Sequence, residues 1–156
     1  MILLGFGGGA STFFLLQFIL IILSSCATGL GYMVACLAGK PEIAGIVGPV
    51  VILPFLLFGG LFLNSDSAPS YFIWLQYLSP VKYGYEAMMV TFWETVDTIE
   101  CPPTGDCQYP TGESVLKSFS FQDVSISLNI FILLALNLGF RTVAFLGLRR
   151  YIQKNQ

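Results

Sequence analysis

The sequence predicts an all-α membrane protein: three transmembrane helices plus a lumenal re-entrant helical segment. Three observations carry this. Of 156 residues, 55% are hydrophobic and 10% charged, with mean hydropathy +0.77, whereas soluble domains carry charge on about a quarter of their residues. Residues 1–39, 43–65 and 124–140 contain no Asp, Glu, Lys or Arg, and a helix of about 20 apolar residues crosses a hydrocarbon core about 30 Å thick. Eight of the nine acids lie between the second and third apolar runs, while Arg149, Arg150 and Lys154 crowd the C-terminal end. Because Lys and Arg near span ends favour the cytoplasm, the C-terminus and the turn holding Lys40 are expected there, with residues 64–126 extracellular or lumenal.

Residues 1–10 (MILLGFGGGA) form a glycine-rich lead, and each Gly costs a helix about 1 kcal/mol relative to Ala. The first transmembrane helix is therefore expected over 11–38. No basic region precedes it and the apolar run is too long for a signal peptide, so it should stay in the mature chain. Ala27, Gly31 and Ala35 repeat every four residues and are predicted to form a helix-packing seam where another backbone approaches closely.

Lys40-Pro41-Glu42 breaks the helix, because Pro lacks an amide and restricts the residue before it. The second span, 43–63, contains Pro49 and Pro54 and is expected to be Pro-kinked, with the carbonyls of Gly45 and Val50 released. From Ala68 to Glu94 the sequence is too apolar for an exposed loop and too interrupted for a span. Its aromatics suit the headgroup interface, so a re-entrant helix is expected at about 70–94 within the 64–126 loop, broken at Ser79-Pro80. Glu86 would be costly at membrane depth unless paired, and Lys82, one turn earlier, is its expected partner in a structural or gating role.

Residues 95–123 read as a turn-rich acidic loop holding Cys101 and Cys107. With Pro102 and Pro103 between them and no His in the chain, these cysteines favour a local disulfide over a zinc pair, constraining the loop by about 2 kcal/mol. Cys26 and Cys36 behave as small hydrophobes. The third span is expected over 127–148 and contains Asn137 and Arg141. The Arg141 guanidinium is expected to snorkel toward the cytoplasmic interface, with a specific binding role as the alternative. A cytoplasmic basic tail, 149–156, completes the chain.

Enzymatic chemistry is not legible here. The Gly39-Lys40 pair is followed by Pro41 and makes no phosphate-binding loop, and Gly5–Ala10 matches a dinucleotide fingerprint without its strand or its ribose-binding acid. No metal site and no catalytic residue is expected. At net charge −2, no nucleic-acid partner is expected either. With no soluble stretch longer than about 60 residues, a separate catalytic domain does not fit.

Pro54-Phe55-Leu56-Leu57-Phe58-Gly59-Gly60-Leu61-Phe62-Leu63-Asn64, followed by Trp74-Leu75-Gln76-Tyr77-Leu78-Ser79-Pro80-Val81-Lys82-Tyr83-Gly84-Tyr85-Glu86-Ala87, resembles the C-terminal half of the transmembrane domain in the white (G) subfamily of ABC half-transporters. The resemblance continues through Gly112-Glu113-Ser114-Val115-Leu116 and Phe140-Arg141-Thr142-Val143-Ala144-Phe145-Leu146, covering about 11–151. It implies the fourth to sixth spans of a type II ABC exporter domain. It also implies a homodimer or heterodimer with an ABC half-transporter in a plasma or vesicle membrane, exporting lipid, sterol or other amphipathic molecules.

ATP and Mg would be bound by a cassette and not by these residues. By the same resemblance Pro49, Leu53 and Leu56 line the substrate cavity, Leu61 and Phe62 match an outlet plug, and Cys101 and Cys107 match lumenal-loop cysteines of which one pair is normally linked. Thr91-Phe92-Trp93 stands where the family often has Asn-Glu-Phe or Asn-Glu-Trp, which puts any polar role of that pair in doubt. The resemblance leaves two expectations: a segment of an exporter's membrane domain, or a short non-transporting membrane subunit that binds and regulates a full-length half-transporter.

Overall fold

The computed structural model describes residues 9–57, 59, 73–99, 109–121 and 124–155. Most of the glycine-rich lead, the plug residues Leu61 and Phe62, and Cys101 and Cys107 lie outside the described residues. The described part is all-helical: α1 (Ala10–Ala38), α2 (Pro41–Leu56), α3 (Ile73–Leu78), α4 (Pro80–Trp93), α5 (Gly112–Ser118) and α6 (Ile126–Asn155). Two of these are long and apolar enough to cross a membrane, Ala10–Ala38 and Ile126–Gln153, and Glu42–Leu56 is a shorter apolar helix.

The α1–α2 turn follows from three consecutive residues. Gly39 takes the left-handed conformation at φ +69°, and its N–H donates to the Ala35 carbonyl at 3.2 Å, a C-cap that glycine adopts without Cβ strain. Lys40 is extended, as the residue before a proline prefers, and Pro41 opens α2 where a missing N–H costs nothing. Pro49 and Pro54 lie inside α2 without ending it, and the helix passes into a π-turn at Leu57 and Gly59.

The main seam joins α1 to α6, and the two helices run parallel. Ile22 packs with Leu133, Gly29 faces Asn137 and Arg141, a side chain at Gly147 would sit 3.5 Å from the Cβ of Cys36, and Gly39 faces the Tyr151 ring. The register therefore advances together on both helices. The contacting residues are Ile22, Cys26, Gly29, Met33 and Cys36 on α1, and Leu133, Asn137, Phe140, Gly147 and Tyr151 on α6; buried Ile19 and Ala144 fall in the same two stripes. Both sets follow the alternating three-four spacing of a heptad, the pattern that keeps one stripe facing a partner helix.

The expected stripe of Ala27, Gly31 and Ala35 is not part of this seam. Ala27, Gly31 and Ala35 are exposed, and a Cβ on Gly31 would meet nothing within 4 Å. Gly31 and Ala35 border a 170 Å³ groove toward Ala44, Gly48 and Ile52 of α2. Positions four apart drift 40° around a helix at each step, so a strict four-residue repeat winds away from a straight neighbour, whereas alternating three and four does not.

Between these helices α4 enters the bundle, with α3 placed against the end of α2. Leu75 packs against the cluster of Cys26, Leu30, Phe55 and Phe140, whereas Tyr83 packs with Ile22 and Leu133, and Val90 with Leu116 and Phe121. The contacts thus move from the level of Phe140 at Leu75 to that of Leu133 at Tyr83, with the break at Ser79 between them. Gly84 allows the closest approach of α4 to α1: a Cβ there would come within 2.7 Å of the Leu23 Cδ2 atom.

Two further boundaries differ from expectation. The acidic loop contains α5, whose N-terminus is closed by a reciprocal capping box: Ser114 N–H donates to Thr111 Oγ1, and Thr111 N–H donates to Ser114 Oγ, both at 3.2 Å. The segment 149–155 is not a separate tail but continues α6 to Asn155. Arg149, Arg150 and Gln153 are good helix formers, and cations near a helix C-terminus are favoured by its dipole.

Candidate functional site

Three groups of side chains hold the positions that the sequence singles out. The first is the join between the end of α2 and the start of α4. Ser79 is the N-cap residue of α4, yet its hydroxyl does not cap that helix. It donates instead to the Phe55 carbonyl at 2.9 Å, with Ser79 fully buried. The end of α2 is thereby fixed to the start of α4. Beside it Gln76 is 4% exposed, and its Nε2 is a buried side-chain donor with no hydrogen-bond partner among the described residues.

The second group anchors α4. Lys82 Nζ lies 3.8 Å from Glu86 Oε1 and 4.5 Å from the centre of the Tyr77 ring. Glu86 is buried, and its other oxygen accepts from Asn129 Nδ2 of α6 at 3.2 Å, Asn129 being buried too. Tyr83 donates through its hydroxyl to the Tyr77 carbonyl at 3.0 Å, tying α4 to α3. Glu86 thus has the Lys82 partner that the one-turn spacing predicts, plus a second partner on α6. A buried carboxylate is held best when both its charge and its remaining lone pairs are met.

The third group spans α1 and α6. Asn137 Nδ2 donates to Ser25 Oγ at 2.9 Å, and Arg141 Nε donates to Asn137 Oδ1 at 2.7 Å while its NH2 group donates to Ser25 Oγ at 3.3 Å. The guanidinium therefore turns toward Asn137, away from the basic end of α6. This corrects the expected snorkelling. The physical reason is Gly29: a Cβ there would sit 3.4 Å from Asn137 Oδ1 and 3.6 Å from Arg141 Cγ, so its absence leaves room for both side chains to fold against α1.

The expected cavity residues lie on α2. Pro49 and Leu53 are exposed, Leu56 is half-buried, and they share a face through their spacing of four and three. Exposed Ile46, Val50 and Leu57 extend it into one apolar surface. Phe55, by contrast, turns inward to the Cys26–Phe140 cluster. Two larger apolar cavities lie elsewhere: one of 490 Å³ includes Met33, Leu78 and Phe140, and one of 420 Å³ includes Leu16, Tyr85 and Met88.

Sequence reasoning identified Lys82 and Glu86 but missed Ser25, Gln76, Ser79 and Asn129. Asn129 and Ser25 each carried a signal, being polar residues inside apolar runs that must find a partner across a helix interface. Ser79 carried a misleading one, since Ser before Pro at a helix start normally caps its own helix. Among the described residues no group of three or more His, Cys, Asp or Glu could hold a metal ion.

Comparison with known proteins places this geometry in context. Residues 1–93 match the family described as ABC-2 type transporter. The chain is similar to protein white of Drosophila melanogaster, 34% identical over 149 residues, covering 94% of this chain and 22% of the fly protein. It is 33% identical over 135 residues to the ABC transporter ATP-binding protein/permease wht-1 of Caenorhabditis elegans, covering 82% and 20%. It is 26% identical over 144 residues to ABC transporter G family member 1 of Dictyostelium discoideum, covering 90% and 18%. The chain spans about a fifth of the length of these relatives.

Proposed function

The chain belongs to the ABC-2 type transporter family, in its white/G subfamily, and on that premise we propose that it forms part of the wall of a path through which an ATP-driven exporter moves lipid, sterol or other amphipathic small molecules. The observation that carries this reading is the apolar face of α2, where Ile46 is 73% exposed, Val50 64% and Leu53 56%. Such a face offers large apolar area and few hydrogen bonds, which suits an amphipathic ligand.

The fold supplies a fixed frame for that face. Ser79 holds the end of α2 to the start of α4, and the Lys82–Glu86–Asn129 group holds α4 to α6. Pro49 and Pro54 release α2 from full helical hydrogen bonding, so the face can shift relative to this anchored end. Pro49, Leu53 and Leu56 act as contacts, and Leu61 and Phe62 close the outlet. ATP and Mg bind a cassette outside these residues, in a homodimer or heterodimer with a half-transporter. The C-terminus is cytoplasmic, and Cys101 and Cys107 form a disulfide in a loop whose base is closed by the Ile99 N–H donating to the Pro110 carbonyl at 3.0 Å.

A second reading, a non-transporting subunit that binds and regulates a half-transporter, draws on the exposed Ala27–Gly31–Ala35 stripe, small residues beside the α2 groove where a Cβ on Gly31 would meet nothing within 4 Å. Reconstitution separates the two. The chain is incorporated into vesicles with a cassette-bearing white-type half-transporter, and ATP-dependent movement of a fluorescent sterol is followed. Sterol movement that needs this chain supports the first reading. Unchanged or reduced movement, with the chain bound, rejects it in favour of the second.

A further inference from the structure

Arg141 presents a charge that no acid among the described residues neutralises. Its guanidinium is exposed, bonded to the neutral groups Asn137 and Ser25, and no acid among the described residues lies within ion-pair distance. It lies eight residues before Arg149, about 12 Å of helix rise from the basic end, against a hydrocarbon half-thickness of about 15 Å. Because Nε is turned back toward Asn137, the side chain does not reach for the near interface.

The surroundings form a polar strip on one edge of the α1–α6 pair: Ser25, Thr28 and Tyr32 on α1, with Asn137 and Arg141 on α6. Thr28 and Tyr32 are exposed, Tyr32 by 54%. Neither of the other large elements covers this edge, since α4 meets α1 at Leu23 and α2 meets it along Leu30 and Val34. Exposed Leu138 and Phe145 continue the α6 surface above and below the charge. An apolar flank with one fixed cation at its middle is a surface for a membrane helix, because ionisable groups inside the bilayer are retained where they pair with each other.

We infer that this edge docks a transmembrane helix of a white-type half-transporter, one carrying a single Asp or Glu in its apolar run, and that Arg141 pairs with that carboxylate. The inference rests on the proposed assembly with a half-transporter. It differs from a lipid site in depth: a phosphate headgroup stays at the interface, whereas a helix can deliver a carboxylate to the level of Ser25 and Gly29. Asn137 and Ser25 orient the guanidinium so that its remaining N–H groups point outward, and they compensate it in part before docking.

The test uses the full 156-residue chain co-expressed with a cassette-bearing half-transporter, in wild-type, Arg141→Gln and Arg141→Lys forms. Gln still donates to Asn137 and keeps α1 and α6 together, which size-exclusion of the variant alone verifies. Arg141→Gln should lower the co-purified half-transporter by about tenfold or more, from the cost of leaving a carboxylate unpaired in the bilayer, and Arg141→Lys should retain most of it. A membrane-permeant carbodiimide should also link the lysine of the Arg141→Lys chain to one acid in a transmembrane helix of the partner. Equal recovery of wild-type and Arg141→Gln, or links to phosphatidylserine alone, overturns the inference while leaving the assembly intact. If wild type recovers no half-transporter, the assembly reading fails and this inference falls with it.

Discussion

The hydroxyl of Ser79 donates to the carbonyl of Phe55 across 24 residues of sequence, at 2.9 Å and out of solvent. It bolts the inner end of α2, which carries the proposed substrate face, to the start of α4. Replacing Ser79 with Ala leaves that acceptor buried without its donor, a loss of about 1–3 kcal/mol. The purified protein in detergent should melt several degrees lower. An unchanged melting temperature would mean that α2 is held by packing alone.

Glu86 is held by Lys82 from its own helix and Asn129 from α6. Lys82→Met should therefore destabilise more than Glu86→Gln, because the first leaves a buried carboxylate without its cation and the second keeps an amide for Asn129. In the double variant the losses should not add, with a coupling of about 1–3 kcal/mol in a double-mutant cycle. Additive losses would show that the two groups are neighbours without being partners.

Two glycines of α1 distinguish the observed seam from the one the four-residue repeat suggests. Gly29 faces Asn137 and Arg141 at van der Waals distance, whereas Gly31 faces open space. Gly29→Val should disrupt the Ser25–Asn137–Arg141 group and cost about 1–3 kcal/mol as an overpacked contact. Gly31→Ala should be neutral or stabilising by up to about 1 kcal/mol through helix propensity. Thermal unfolding of both variants checks the pair, and the reverse order would restore the Ala27–Gly31–Ala35 stripe as the main contact.

Gly112 opens α5 against backbone rather than side chains: its N–H donates to the Val96 carbonyl at 3.0 Å, and a Cβ would collide with the carbonyl oxygens of Trp93 and Val96. Since backbone yields less than a side-chain tip, Gly112→Ala should cost about 1–3 kcal/mol. It should also open residues 96–121 to proteolysis while α1 and α6 stay intact.

Much of this architecture is legible in the sequence, because charge-free runs and proline breaks act locally. The start of α1, the Lys40-Pro41 turn, the break at Ser79-Pro80 and the Lys82–Glu86 pair all follow from residues within one or two turns of each other. What the sequence obscures is set by partners far along the chain. Arg141 reads as a snorkelling side chain until Gly29 is placed opposite it, and Ser79 reads as a cap until Phe55 is. The α1–α6 seam was visible as a heptad at Ile22, Cys26, Gly29, Met33 and Cys36, but the more regular repeat of Ala27, Gly31 and Ala35 masked it. The continuation of α6 past Leu148 follows from helix propensity, which the charge boundary outweighed in the reading of the sequence.

The central claim is that the exposed face of α2 meets the transported molecule. Cysteine placed at Leu53, in a background where Cys26 and Cys36 are replaced by Ala, can be labelled with a small thiol reagent in the assembled transporter, with and without an amphipathic substrate. The account predicts that Leu53→Cys is labelled without substrate and protected by it, while a cysteine at exposed Phe131 on α6 shows no protection. Labelling at Leu53→Cys that substrate never reduces would contradict it.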